Sequence, residues 1–298
     1  MNQVSGGNGP SNQDDERHES PEHQRHDTDG TGEARHPCLE ARDLAGGDAH
    51  ERCVGLVART AIYAETVDLV KAAGAREVRS DRLDVADRAA VTTYADAVAE
   101  QLGRVNVVVN NAGVALSGDV EDLDYDDMDW IIGINFWGVV HGTKAFLPHL
   151  IASGDGHVVN LSSLFGLISV PGQSMYNASK YAVRGFTEAL REEMIVAGHP
   201  VGVTAVHPGG IKTAIARNGR YSTREDAAES AAIFDEKLAS MSPERAAEII
   251  VSRGVLGGRA RVLVGLDAHA LHHFARLTGS RYQDVVAAVA KRTKPPKR

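Results

Sequence analysis

Apolar positions fall into two alternating rhythms from residue 53 onward. Cys53-Val54-Gly55-Leu56-Val57-Ala58 is a short apolar run that predicts a buried strand. Ile62 to Ala73 has helical spacing and stops at Gly74, a residue that ends helices readily. Val78 to Leu83 predicts the next strand. Asp84-Val85-Ala86-Asp87 caps a helix running through Gln101, with a stop at Gly103. Val105-Asn106-Val107-Val108-Val109 is nearly continuous in its apolar character, as strands of a parallel sheet covered on both faces are. A long helical stretch from about Asp124 to Ile151 leads to the strand His157-Val158-Val159-Asn160-Leu161. Helix resumes around Gln173 and reaches Ala197, and Val201 to Val206 is a further strand. Ala214 to Ser240 is polar and reads as a mobile segment. Ser242-Pro243-Glu244 then starts a helix with proline at the first helical position, and Arg261 to Val264 is a last short strand. Strands alternating with helices predict an α/β fold with a doubly wound parallel sheet in three layers.

The chain before this pattern has another texture. Met1 to about His50 is dominated by small, polar and charged residues, and no aromatic residue occurs before Tyr63. Such a segment cannot bury enough apolar surface to order itself. The expected organisation is a disordered polar segment over 1–50, one α/β domain over 51–265, and a C-terminal helix with a basic tail over 266–298. The His and Cys residues of the first segment (His18, His23, His26, His36, Cys38) fit no zinc-ligand spacing, so no metal site is expected.

Composition narrows the function classes. A net charge of −8 on 298 residues gives no general attraction to nucleic acid or anionic membrane, and the basic run from Lys291 to Arg298 reads as a solvated tail. No run approaches the roughly 18 to 20 apolar residues of a membrane span. With two cysteines, Cys38 and Cys53, and no secretory leader pattern, a cytoplasmic location is expected.

Candidate chemistry collects at the strand ends, where ligands bind in open parallel sheets. Three consecutive strands end in Asn110-Asn111-Ala112-Gly113, Ser162-Ser163 and His207-Pro208-Gly209-Gly210. Downstream, Tyr176-Asn177-Ala178-Ser179-Lys180 sets a phenol and an ammonium four residues apart on a predicted helix, hence on one face. A free tyrosine titrates near about 10 and a lysine near about 10.4, so a cation beside the phenol favours the phenolate. Tyr176 is therefore a candidate general acid/base, with its pKa expected to be drawn down by Lys180.

Taken together, these motifs resemble the short-chain dehydrogenase/reductase family over roughly residues 54 to 265. Asn110-Asn111-Ala112-Gly113 matches its N-N-A-G, Asn135 its mid-helix asparagine, and Ser163 the serine thirteen residues before the tyrosine. Tyr176 and Lys180 match its Y-x-x-x-K, Pro208-Gly209 with Thr213 its P-G-x-x-x-T, and Asp84-Val85 its D-V. Six motifs in order are far more specific than any one. The resemblance implies a Rossmann-like fold and hydride transfer between NAD or NADP and an alcohol or a carbonyl carbon. It implies Tyr176 as acid/base, Ser163 holding the substrate oxygen, Lys180 holding the nicotinamide ribose, and Asn135 holding a water behind Lys180. Asp84 and Val85 would meet the adenine, and Asn111, Ala112 and Gly113 the adenosine half. Pro208, Gly209, Ile211 and Thr213 would line the nicotinamide end. It also implies a homo-oligomer. Ser162, His141 and His207 read as structural, and the acidic run Glu121 to Asp129 as a solvated helix start.

One family motif is missing. The family opens with a strand, a T-G-x-x-x-G-x-G turn and a helix whose N-terminus receives the pyrophosphate. By family spacing the turn falls near His36 to Asp43, which reads His-Pro-Cys-Leu-Glu-Ala-Arg-Asp, so the first β-α unit is missing or replaced. Arg59 stands near the position that selects between the two dinucleotides and would favour a 2′-phosphate. The expected function is an NAD(P)-dependent oxidoreductase. The alternatives are a cofactor-deficient binding protein on the same fold, or a gene product read out of frame before about Ala61. Leu164, Phe165, Leu167 and Met175 near the site point to an apolar alcohol, ketone or aldehyde as substrate.

Overall fold

The computed structural model describes residues 53–58 and 63–293. The expectations for residues 1–50, for Arg59 and for the end of the basic tail lie outside the described residues. Two parallel strands, β1 (Cys53–Ala58) and β2 (Glu77–Arg82), pair from Cys53 opposite Glu77 to Ala58 opposite Arg82. Helix α1 (Tyr63–Ala72) connects them. Helix α2 (Arg88–Leu102) follows, and Asp87 caps it by accepting from the Ala90 amide at 3.0 Å. Gly103 ends it at φ 78°, a conformation that costs a glycine little.

The central sheet is four-stranded and parallel, in the order β3 (Val107–Asn110), β5 (Gly156–Leu161), β6 (Val201–Pro208) and β8 (Arg261–Val264). All six residues of β5 are buried, as the central position between two neighbours requires. Successive side chains of a strand face opposite sides, and the core follows that rule. Val158 packs with Leu150, Leu190 and Met194 from two helices. Val159, the next residue, packs with Val206, Val262 and Ala246 on the other face. The helices on the first face are α4 (Gly138–Ser153) and α5 (Ser174–Ala197), and α7 (Pro243–Ile249) lies on the second. Ser242 caps α7 through the Arg245 amide, with Pro243 in its first turn. The three-layer parallel α/β architecture is thus the one the alternating sequence pattern predicts.

Three local features depart from the expectations. The long helical stretch is broken: α3 (Tyr125–Ile132) and α4 are joined by a π-helical turn, Gly133–Trp137, a distortion that concentrates at functional sites. The segment 214–240 is structured. It contains the short strand β7 (Arg220–Tyr221), paired with β4 (Leu116–Ser117), and helix α6 (Ala227–Ile233), capped by Asp226. Its anchors are tertiary: Arg220 lies 4.0 Å above the Trp130 ring and 2.6 Å from Asp127, and Arg224 is 3.1 Å from Asp122. The acidic run read as a solvated helix start therefore docks this segment. Finally, residues 266–293 form two helices where one was expected, α8 (Leu266–Thr278) and α9 (Tyr282–Thr293). Leu271 and Phe274 of α8 pack with Tyr282 on Leu164 and Ile168, whereas Leu277 is exposed. No helix among the described residues is long and apolar enough to cross a membrane, and they contain no cluster of three or more potential metal-ligating side chains.

Candidate active site

The carboxyl ends of β3, β5 and β6 converge on the N-terminal half of α5. Lys180 is 4% exposed, and its Nζ donates to the Leu161 carbonyl at the end of β5 at 3.0 Å. Its Nζ stands 5.7 Å from the centroid of the Tyr176 ring. A side chain at Gly113 would meet both Lys180 Nζ and Asn135 Oδ1 at 3.4 Å, so the loop after β3 reaches the same point. Five of the sequence-predicted residues, Gly113, Asn135, Ser163, Tyr176 and Lys180, thus belong to one constellation.

Ser163 has extended backbone, and its Oγ accepts from the Phe165 amide at 3.1 Å, capping a short 3-10 turn over Leu164–Gly166. Its hydroxyl also reaches the Tyr176 phenol. Burial raises the pKa of that phenol, and the Ser163 hydroxyl works against the rise. This corrects the expectation that Lys180 draws the phenol down. The ammonium lies toward the ring and is tied to a carbonyl, so desolvation governs the phenol. Desolvation also governs Lys180 itself, lowering its pKa to about 8.

Asn135 sits in the π-helical turn and is fully buried. Its Oδ1 accepts from the Val114 amide at 2.8 Å, and its Nδ2 donates to the Val114 carbonyl at 2.9 Å and to Ser179 Oγ at 3.1 Å. The amide therefore fastens the loop after β3 to the helix carrying Tyr176 and Lys180. Ser162 is structural as expected, donating to the Lys180 carbonyl at 2.8 Å. His141 Nδ1 lies 3.1 Å from the Val85 carbonyl. His207 is fully buried, with Nδ1 2.9 Å from the Ser163 carbonyl and Nε2 without a partner. A ring nitrogen facing a carbonyl must carry the proton, so Nε2 is the bare nitrogen of a neutral imidazole. Burial lowers the pKa of His207 to about 4.

The residues expected along the dinucleotide are dispersed over the segments that follow β2, β3 and β6. Asp84 is exposed and accepts from the Ala86 amide at 3.0 Å, while Val85 packs so closely on Gly138 that a Cβ there would meet Val85 Cγ2 at 2.7 Å. Asn111 and Ala112 are exposed, and Pro208, Gly209 and Thr213 are partly buried. Ile211 turns into the core beneath the site, against the cluster of Val159, Val206 and Val264.

Sequence reasoning missed several residues that hold this arrangement. Asp267, three residues past β8, accepts from the Gly210 amide at 2.7 Å and stands where a Cβ on Gly209 would lie. Its signal was its place at a strand's carboxyl end. Asn110 donates to Asn160 Oδ1 at 2.8 Å and to Thr143 Oγ1 at 3.0 Å, and Asn160 donates to Thr187 Oγ1 at 3.0 Å, a buried polar ladder joining two strands to α4 and α5. Asn177 stood unread inside the Tyr-x-x-x-Lys spacing. Of the apolar residues expected around the substrate, Leu164 and Leu167 are buried in the core. Phe165 stands edge-on to Tyr176, with ring centroids 6.0 Å apart.

Known proteins resemble this chain in sequence and in fold. Residues 44–223 match the short chain dehydrogenase family. A protein named as an oxidoreductase, SadH of Mycobacterium tuberculosis, is 62% identical over 229 residues, covering 76% of this chain and 82% of that protein. Oxidoreductase BOA17 of Botryotinia fuckeliana is 36% identical over 215 residues, covering 68% and 77%. Among solved structures, a short chain dehydrogenase/reductase from Burkholderia phymatum in complex with NAD is similar with a TM-score of 0.70 at 25% identity, covering 84% of this chain and 99% of that one. A short-chain dehydrogenase from Streptomyces avermitilis gives a TM-score of 0.63 at 27% identity, covering 85% and 93%. The chain therefore belongs to the short-chain dehydrogenase/reductase family of oxidoreductases.

Proposed function

We propose that this protein interconverts an alcohol and a ketone or aldehyde with NAD or NADP, using Tyr176 as the general acid/base. The observation that carries this reading is the convergence of the Ser163 hydroxyl, the Tyr176 phenol and the buried Lys180 ammonium where three strand ends meet. The residues present fit a dinucleotide at the buried Lys180 ammonium, beside which Gly113 brings bare backbone. The Gly209-Gly210 turn is filled by the chain's own Asp267 carboxylate and Leu238 carbonyl, which account for both glycines. Lys180 spends one of its three N–H bonds on Leu161, leaving two to offer to ribose hydroxyls. Asn111, Ala112 and Gly113 would hold the adenosine half, Asp84 and Val85 the adenine, and Pro208, Gly209, Thr213 and the backbone of Ile211, whose side chain packs in the core, the nicotinamide end. When bound, the nicotinamide supplies or accepts the hydride.

The chain's own residues manage the oxygen and its proton. Ser163 donates to the substrate oxygen as negative charge develops on it, the role of an oxyanion donor. Tyr176 delivers its proton to that oxygen in reduction and removes it in oxidation. A phenol whose pKa is raised by burial is protonated at neutral pH, so the proton needed for reduction is present, although the same shift makes the phenol a weaker acid. The Phe165 ring beside Tyr176 favours a substrate with an apolar group next to its carbonyl.

Two measurements test the proposal. Titration of the protein with NADH and with NADPH, followed by nicotinamide fluorescence, should saturate for at least one of them. Tyr176→Phe should abolish turnover of a ketone such as acetophenone while leaving cofactor affinity within about twofold, because it removes only the proton donor. Near-normal turnover in the variant would refute the role of Tyr176. Because the sequence has no T-G-x-x-x-G-x-G turn, failure of both dinucleotides to bind would instead make the chain a binding protein on this fold.

A further inference from the structure

Segment 164–170 links Ser163 to the helix that carries Tyr176, and its backbone is gripped from two sides. From α5, the Asn177 side chain donates through Nδ2 to the Phe165 carbonyl at 2.9 Å and to the Ile168 carbonyl at 3.0 Å. Its Oδ1 accepts from the Val170 amide at 3.2 Å. Both donors and one acceptor of a primary amide are thereby used, on a side chain only 5% exposed. From α9, Tyr282 packs on Leu164 and Ile168, and its hydroxyl accepts from the Ser169 amide at 3.0 Å. Beside the segment lies a solvent-open hollow of about 550 Å³, lined in part by Ser169, Val170, Asn177, Tyr181 and Tyr282. A backbone with open space on one side has somewhere to go, so the two side chains decide where it stands.

What the segment carries gives the clamp its consequence. Phe165 meets the Tyr176 ring edge-on, and the Phe165 amide is capped by Ser163. We propose that Asn177 is a positioning residue: together with Tyr282 it fixes segment 164–170 so that Phe165 stands against Tyr176 and limits the size of the group admitted beside the substrate carbonyl. The size limit rests on the proposed alcohol/carbonyl chemistry, whereas the clamp itself does not. Asn177 adjoins Tyr176 in sequence, so the proton donor and the wall beside it are set by consecutive residues of one helix. No other side chain of that size supplies two donors and an acceptor at once, and aspartate would place a carboxylate against two carbonyls.

The test uses the full chain and three variants, Asn177→Ala, Asn177→Asp and Tyr282→Phe. The last keeps the ring that packs on Leu164 and removes only the hydroxyl. Backbone hydrogen exchange followed by mass spectrometry should accelerate about 10- to 100-fold in peptides spanning 164–172 in the Asn177 variants, and less in Tyr282→Phe. Peptides of the central sheet, 156–161 and 201–206, should be unchanged. Unchanged exchange over 164–172, or acceleration shared equally by the central sheet, overturns the clamp. The size limit is read from the ratio of kcat/KM for acetophenone to that for acetone. The ratio should move at least about threefold, mainly through KM, whereas a loss of folded protein lowers kcat for both ketones and leaves the ratio alone. A constant ratio in a variant whose exchange has accelerated overturns the size limit. If the parent chain reduces neither ketone with either dinucleotide, the proposed reaction fails while the exchange data still decide the clamp.

Discussion

Replacing Lys180 with methionine should stabilise this protein while removing its activity. The ammonium is 4% exposed, and desolvation moves its pKa from the ordinary 10.5 to about 8. At 1.36 kcal/mol per unit, the folded chain carries a penalty of about 3 kcal/mol for holding the charge at pH 7. Methionine has nearly the same length and no charge. It forfeits the bond to the Leu161 carbonyl, a loss of about 1 kcal/mol. The net expectation is a gain of about 2 kcal/mol at pH 7, or a melting temperature higher by roughly 4 to 8 °C for a domain of this size. The sign of the pH dependence provides a second check. Between about pH 8 and 10.5 the unfolded lysine still holds its proton and the folded one has released it, so wild-type stability rises with pH across that window. Lys180→Met has no such group, and its advantage should shrink steadily over the window. Circular dichroism melts of both proteins at pH 7, 8, 9 and 10 read both effects. A variant that melts below the wild type at pH 7, or a difference constant from pH 7 to 10, would show that burial does not tax the ammonium.

Two further outcomes follow from buried polar groups. Asn135→Ala removes three hydrogen bonds and strands both polar groups of Val114, so urea unfolding should show a loss of about 2 to 4 kcal/mol. A loss below about 0.5 kcal/mol would mean that the loop after β3 relaxes without its anchor. His207 should make the protein acid-sensitive. The unfolded imidazole gains its proton near about 6.5, while the folded one, desolvated and with no acceptor near Nε2, does so only near about 4. Stability is therefore lost as the pH falls through this window, by up to about 3 kcal/mol. His207→Gln should flatten the fall in urea midpoint between pH 6.5 and 4.5, and an equally steep fall in that variant would exclude His207 as its source.

The parts of the fold that were legible in the sequence are those whose environment repeats along the chain. The run from His157 to Leu161 is buried on both faces, so its residues had to be apolar except where His157 meets Thr204 and Asn160 joins a polar ladder. Ser242-Pro243 announced a helix because a capping hydroxyl and a proline act within one turn. Segment 214–240 misled for the opposite reason. Its helix of seven residues is too short to hold by itself, and its anchors, Arg220 on Trp130 and Arg224 beside Asp122, join residues some ninety positions or more apart. The break in the long helix was equally silent, since Gly133–Trp137 carries no proline to mark it.

By itself the sequence singled out the candidate groups: a tyrosine and a lysine one helical turn apart, a serine at a strand end, and a glycine in the loop beside them. Local spacing suffices for that, because the helix and the parallel strand fix where side chains point. Only the tertiary structure decided what those groups are worth. Burial, which depends on neighbours far along the chain, raises the Tyr176 phenol and lowers the Lys180 ammonium, reversing the expectation drawn from their spacing. It also gave Asn177, a spacer in the motif, three backbone partners. Solvation energy and hydrogen-bond partnership are set by what the fold brings near, and adjacency in sequence does not record them.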